Sequence, residues 1–178
     1  MDVSGRNRSS LPAQPAQQAS PSSTQAGCAW NIGFSETPGL REKLYVSQLR
    51  LPTFCRAEGL FGLFDGGAQS AAPEALARAV PRLVLEERAV QETAADYLKY
   101  TLLAAHRELR EQGQRCGVCA TIVHVTQRRK RVTLRVASVG EARAVLGRAS
   151  AVLPLTRDAG SGVRPPPEVC GDLHSSSF

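Results

Sequence analysis

Apolar residues fall in two different rhythms along this chain, and the changes of rhythm divide it into elements. Residues 30–35 and 44–49 carry short apolar runs with Thr37-Pro38-Gly39 between them, which predicts two strands joined by a turn. Leu51-Pro52-Thr53-Phe54 and Ala57-Glu58-Gly59 lead into Leu60-Phe61-Gly62-Leu63-Phe64-Asp65-Gly66-Gly67. That stretch is almost wholly apolar, too short for a helix, and closed by an Asp and two glycines, which fits a buried strand. From Pro73 the spacing becomes helical: Leu76, Val80, Leu83 and Val84 share one face, and Pro73 suits a first turn. Pro81 inside that pattern predicts a kink or a break. A second helix is predicted over 92–111, with Thr93 and Asp96 at capping-box spacing. Leu98, Thr101, Leu102, Ala105 and Leu109 form its apolar stripe, and Gly113 ends it.

The period then drops to two. Residues 118–126 and 131–139 are predicted as strands joined by Gln127-Arg128-Arg129-Lys130, and Gly140-Glu141 turns the chain toward shorter strands at 143–148 and 151–155. Strands, two helices and then a strand meander suit an α+β layered domain, not an alternating βαβ one. Residues 1–27 are rich in Ser, Gln, Pro and Ala, and are expected to form a disordered tail. Residues 159–178, with Pro165-Pro166-Pro167, are expected to be irregular or disordered, leaving 28–158 as the domain.

A chain of 178 residues can bury one real core. Aromatic residues make up only 5% of it, so that core must rest on Leu, Val and Ala. The net charge of +6 is scattered, which permits contact with nucleic acid or an acidic membrane without arguing for it. No apolar run approaches a membrane span, and the N-terminus has neither an apolar signal core nor the second-position Gly of a myristoylated chain. The 5 cysteines are an odd number at irregular spacing. The expectation is free thiols in a reducing compartment, cytoplasmic or nuclear.

Three features carry candidate chemistry. Asp65 sits at a strand mouth where glycines let a hard cation or a phosphate come close, although Asp-Gly after a strand is also an ordinary turn. Cys116-Gly117-Val118-Cys119 has the spacing of a zinc half-site or a redox pair. No second pair follows, and small buried thiols are the favoured reading. Arg128-Arg129-Lys130-Arg131 reads as a localisation signal, a nucleic-acid contact or a solvated hairpin tip, and the lack of an aromatic platform favours the tip. His106 and His124 read as structural, with no partner evident for either.

Four segments together resemble a known family. Phe61-Gly62-Leu63-Phe64-Asp65-Gly66 resembles the Phe-Gly-Val-Phe-Asp-Gly motif of the metal-dependent type 2C protein Ser/Thr phosphatases. Val136-Ala137-Ser138-Val139-Gly140-Glu141-Ala142-Arg143-Ala144-Val145-Leu146 resembles their Ala-Asn-x-Gly-Asp-Ser-Arg-Ala-Val segment. Gly117-Val118-Cys119-Ala120-Thr121 is similar to their small-residue strand, and Leu153-Pro154-Leu155-Thr156-Arg157-Asp158 to their Leu-Thr-x-Asp stretch. The order is the family's, and the likeness runs over residues 30–158. Gly39-Leu40-Arg41-Glu42-Lys43-Leu44, residues 92–106 and Gly113-Gln114 are similar to the PH-domain leucine-rich-repeat branch of the family.

The resemblance implies part of an α/β sandwich, two antiparallel sheets with outer helices. It also implies a two-metal centre of Mn2+ or Mg2+ that activates a shared water for attack on phosphorus. Asp65 falls on the carboxylate that touches both metals, Gly66 on a carbonyl ligand, and Arg41 on the phosphate-gripping Arg. The departures bear on activity. Tyr45-Val46 stands where the family has Glu-Asp, Gly67 where it often has His, and Glu141 where it has Asp. The later Asp-Gly-x-x-Asp and Asp-Asn segments have no counterpart, so the domain is expected to be truncated in its C-terminal half. The function implied is a pseudophosphatase that binds a phosphoprotein or signalling partner. The alternative is a divergent metal-dependent Ser/Thr phosphatase completed by a partner or a longer product. Half a sandwich leaves an apolar face and an open edge, so marginal stability or dependence on a partner is expected.

Overall fold

The computed structural model describes residues 30–90 and 96–156, together with the strand Val169–Asp172. The first hairpin pairs β1 (Val46–Phe54) with β2 (Glu58–Asp65), antiparallel. β1 runs on through Pro52, past the strand predicted over 44–49. The register slips between Leu51 and Phe54, and β1 lies at the edge of the sheet order β1-β2-β3-β4-β7. An irregular edge strand tolerates a residue with no amide hydrogen. Residues 30–35, expected as a strand, form none. This segment instead runs mostly exposed, with the Phe34 ring against the Arg50 guanidinium at 3.9 Å.

α1 (Ala71–Val90) continues through Pro81 without a break. An interior proline costs a helix about 3 kcal/mol. Val80, Leu83 and Val84 beside it are buried, and burying each such side chain contributes about 1.5–3 kcal/mol, so tertiary packing outweighs the local penalty. α2 (Tyr97–Glu111) begins after Asp96, whose side chain makes no capping bond; Thr93 lies outside the described residues. It ends as its glycine dictates. Gly113 takes φ 76°, its amide donates to the Arg110 carbonyl at 3.0 Å, and the Gln114 amide donates to the Leu109 carbonyl at 2.9 Å. Those paired bonds satisfy carbonyls the helix would otherwise leave open.

β3 (Cys119–Arg128) and β4 (Arg131–Val139) form the expected hairpin, in register from Ala120↔Val139 to Arg128↔Arg131. β5 (Val145–Arg148) and β6 (Ala151–Pro154) make a separate two-stranded hairpin. β7 (Val169–Asp172) pairs antiparallel with β4, a strand within the stretch expected to be irregular. Among the described residues the architecture is α+β, antiparallel sheets with two helices.

Both helices pack on one face of the larger sheet. Leu60 and Phe64 of β2 and Ala120 and Ile122 of β3 share a core with Leu76, Val80, Leu83 and Val84 of α1 and Tyr97, Leu98 and Ala105 of α2. Strand alternation turns Phe61, Leu63 and Asp65 to the other face. There Phe61, Val123 and Val136 stand in a row across three strands.

Candidate functional site

The four motif segments meet at one end of the larger sheet. Asp65 is the last residue of β2, opposite Val46 on β1 and Cys119 on β3. The Gly66 amide donates to the Tyr45 carbonyl at 3.0 Å, which ties the Asp-Gly turn to the Tyr45-Val46 pair. On the other side Gly140 ends β4 against Cys119: a Cβ on Gly140 would stand 2.4 Å from Cys119 Sγ, and its φ of 79° also calls for glycine. The Ala142 carbonyl then accepts the Thr121 hydroxyl at 2.8 Å. The Ala144 amide donates to Thr156 Oγ1 at 2.9 Å, and its carbonyl accepts the Leu155 amide at 2.8 Å. The Leu-Thr stretch therefore clamps the segment that carries Glu141, which is exposed.

Asp65 and Gly66 are both engaged locally. Asp65 Oδ1 accepts the Gly67 amide at 2.8 Å, the self-contained turn that Asp makes two residues ahead. The Gly66 carbonyl accepts the Ala68 amide at 2.7 Å. Gly66 has no room for a side chain, since a Cβ would lie 2.2 Å from the Gln69 carbonyl oxygen and 2.6 Å from Pro73 Cγ. The turn is thereby pressed onto the start of α1. Arg41 is exposed in the turn that leads to β1, where its amide donates to the Pro38 carbonyl at 3.1 Å.

Do these residues fit a two-metal centre? Oxygen-seeking divalent cations each take about six ligands. Here Tyr45 and Val46 bring no carboxylate beside Asp65, and among the described residues no group of three or more His, Cys, Asp or Glu side chains could hold a metal. Asp65 and Gly66 alone do not make such a site. The cysteine motif offers no metal site either. Cys116 is exposed, against the expectation of a buried thiol, and Cys119 is half-buried at the start of β3. Arg128, Arg129, Lys130 and Arg131 are all exposed at a hairpin tip.

A buried polar cluster lies at the opposite end of the sheet, where no sequence motif marks it. His124 is buried in β3 with its Nδ1 bonded to the Tyr97 hydroxyl and its Nε2 3.1 Å from Glu58 Oε2. Arg88 grips Glu58 with both guanidinium nitrogens, at 2.5 and 3.1 Å. Burial pulls the His124 pKa down, against the opposing pull of Glu58. Burial pushes the Glu58 carboxyl up, but the Arg88 hydrogen bond and charge, with His124, outweigh it and leave the pKa lowered. Burial also raises the Tyr97 phenol to about 12, with Arg135 and Arg88 opposing. The signal that could have found this cluster is a His on the inward face of an otherwise apolar strand.

Fold and motif arrangement together define a phosphatase-type α+β domain. The model of the protein phosphatase 2C family matches residues 30–159, and the chain belongs to that family. It is 37% identical over 177 residues to a protein phosphatase PHLPP-like protein of Drosophila melanogaster, a match covering 88% of this chain and 18% of that one. It is 31% identical over 137 residues to PH domain leucine-rich repeat-containing protein phosphatase 1 of Homo sapiens, covering 74% of this chain and 8% of the relative. The chain thus spans less than a fifth of the length of these relatives. Among solved structures, a C. elegans sex determining protein superposes with a TM-score of 0.56 at 18% identity, over 66% of this chain and 32% of that one. A bacterial serine phosphatase variant gives a TM-score of 0.52 at 18% identity, over 80% of this chain and 70% of its own. At that identity the likeness is one of fold. Among the described residues no helix is long and apolar enough to cross a membrane.

Proposed function

We propose that this chain is a type 2C phosphatase-like domain that acts through binding instead of turnover. Residues 28–158 form its phosphatase-like unit, flanked by 1–27 and 159–178. Its partner is a phosphoprotein or another signalling protein, in the cytoplasm or the nucleus. One observation carries the reading: the sheet end where the family motifs converge offers Asp65 as its one motif carboxylate on β2, already bonded to the Gly67 amide, with Tyr45 and Val46 alongside. Phosphate release from a phosphothreonine peptide with added Mn2+ tests it. The expected result is no release above the protein-free blank and no Mn2+ heat in calorimetry. Turnover that Asp65→Asn abolishes would overturn the reading.

The second reading is a divergent metal-dependent Ser/Thr phosphatase whose remaining ligands come from a longer product or a partner chain. The retained Asp65-Gly66 turn supports it, as does the meeting of all four segments at one sheet end. Under it, Mn2+ or Mg2+ would bind at Asp65 and the Gly66 carbonyl, and Arg41 would grip the phosphate.

A further inference from the structure

On the helical face of the larger sheet, the face away from Asp65, a groove of about 1250 Å³ opens between α2 and β4. Small residues make its floor, Ala120 on β3 and Ala137 on β4, with Val139 at the strand end; Leu102 and Leu109 of α2 form the wall. β7 pairs with β4 only along residues 131–134, and from 135 to 139 no strand pairs with that edge among the described residues. In the sequence Pro165-Pro166-Pro167 stand shortly before β7, and proline has no amide hydrogen to give to a ladder.

The rim of the groove is cationic. Lys99 stands near the start of α2, with Arg110 and Arg115 at its far end, against a single acidic lining residue, Asp96. All three cations are exposed, and none is ion-paired with an acidic side chain among the described residues. An open strand edge asks for backbone donors and acceptors, the small-residue floor for branched apolar side chains, and the rim for carboxylates at both ends. A second copy of this chain is the wrong occupant. It would bring another cationic rim against the first, on a chain of net charge +6.

We propose that the groove between α2 and β4 docks an extended segment of a partner protein, apolar at its centre and acidic at its ends, added as a strand to residues 135–139. The inference goes beyond the phosphatase-like reading and stands whether or not the Asp65 end of the sheet turns over phosphate.

The test uses the full chain and the fluorescein-labelled peptide EDVTVTVDE, read by anisotropy. Two control peptides separate the contributions: EDVPVPVDE keeps the charge but removes ladder donors, and KKVTVTVKK reverses the charge. Saturable binding of the first is expected, with both controls weaker by at least about tenfold. The double variant Lys99→Glu/Arg115→Glu, at two exposed positions, should weaken the first peptide by about tenfold while leaving the circular dichroism unchanged. Asp65→Asn should bind it as the unaltered chain does, which keeps this result independent of any phosphatase assay. The absence of saturable binding to EDVTVTVDE would overturn the proposal. So would equal binding of the proline peptide, which would mean charge alone, or sedimentation showing a dimer of the chain that the peptide dissolves.

Discussion

A single methyl group at the end of β2 is enough to disturb the site. A Cβ on Gly66 would press on the Gln69 carbonyl oxygen, a backbone atom that cannot swing aside. Gly66→Ala is expected to cost about 1–3 kcal/mol, the usual penalty for overpacking, read as a lower urea midpoint at unchanged slope. This position was legible because the motif that names it is local. The His124 cluster was not, because Glu58 and His124 are distant in sequence and meet only through strand pairing. That cluster also sets a pH dependence. Burial holds His124 below its ordinary value of 6.5, so below that pH the unfolded chain takes up a proton that the folded chain resists. Stability is therefore full above 6.5 and falls as the pH drops. Burial acts upward on Glu58, but Arg88 and His124 outweigh it, so a second loss begins below the ordinary 4.5 and completes as the pH falls through the folded value. Thermal midpoints should decline in those two stages, and His124→Gln should remove the first. A midpoint that rises on acidification from neutrality would refute the account.

Among the elements, the hairpin of β3 and β4 was readable almost to the residue, because strict alternation and a polar turn leave few other registers. The helical stripes were equally plain: every buried residue of α1 from Leu76 onward lies on the face its spacing indicates. Pro52 and Pro81 argue locally against regular structure, yet β1 and α1 run through them, since an edge position excuses the first and core packing overrides the second. Residues 30–35, expected as a strand from their apolar texture, pair with no strand; Phe34 is half exposed and sets its ring against the Arg50 guanidinium instead. The local penalty at Pro81 should be recoverable. Pro81→Ala restores an amide donor inside α1 and loses some restriction of the unfolded chain, worth about 0.4–1 kcal/mol. Set against about 3 kcal/mol for an interior proline, a net gain of roughly 2 kcal/mol is expected in chemical denaturation. A loss of stability would mean that the ring's packing matters more than the missing hydrogen bond.

At the scale of the molecule, the described residues cover the two faces of the larger sheet unequally. The helical face holds the core. On the other face Leu63 remains 41% exposed, beside the row of Phe61, Val123 and Val136. The β5–β6 hairpin belongs to a separate sheet and itself exposes Val145, Val152 and Leu153. Contiguous apolar surface of this kind drives association unless something covers it. Leu63→Lys separates the possibilities. If the face is open in solution, the charge enters water, the melting free energy stays within about 0.5 kcal/mol, and concentration-dependent light scattering decreases. If the side chain is instead covered in the free chain, burying an ammonium there would lower stability well beyond that range, by several kcal/mol. The 41% exposure and the alternation that sets Leu63 opposite the helices favour the first outcome. A large loss of stability would show that this face is closed.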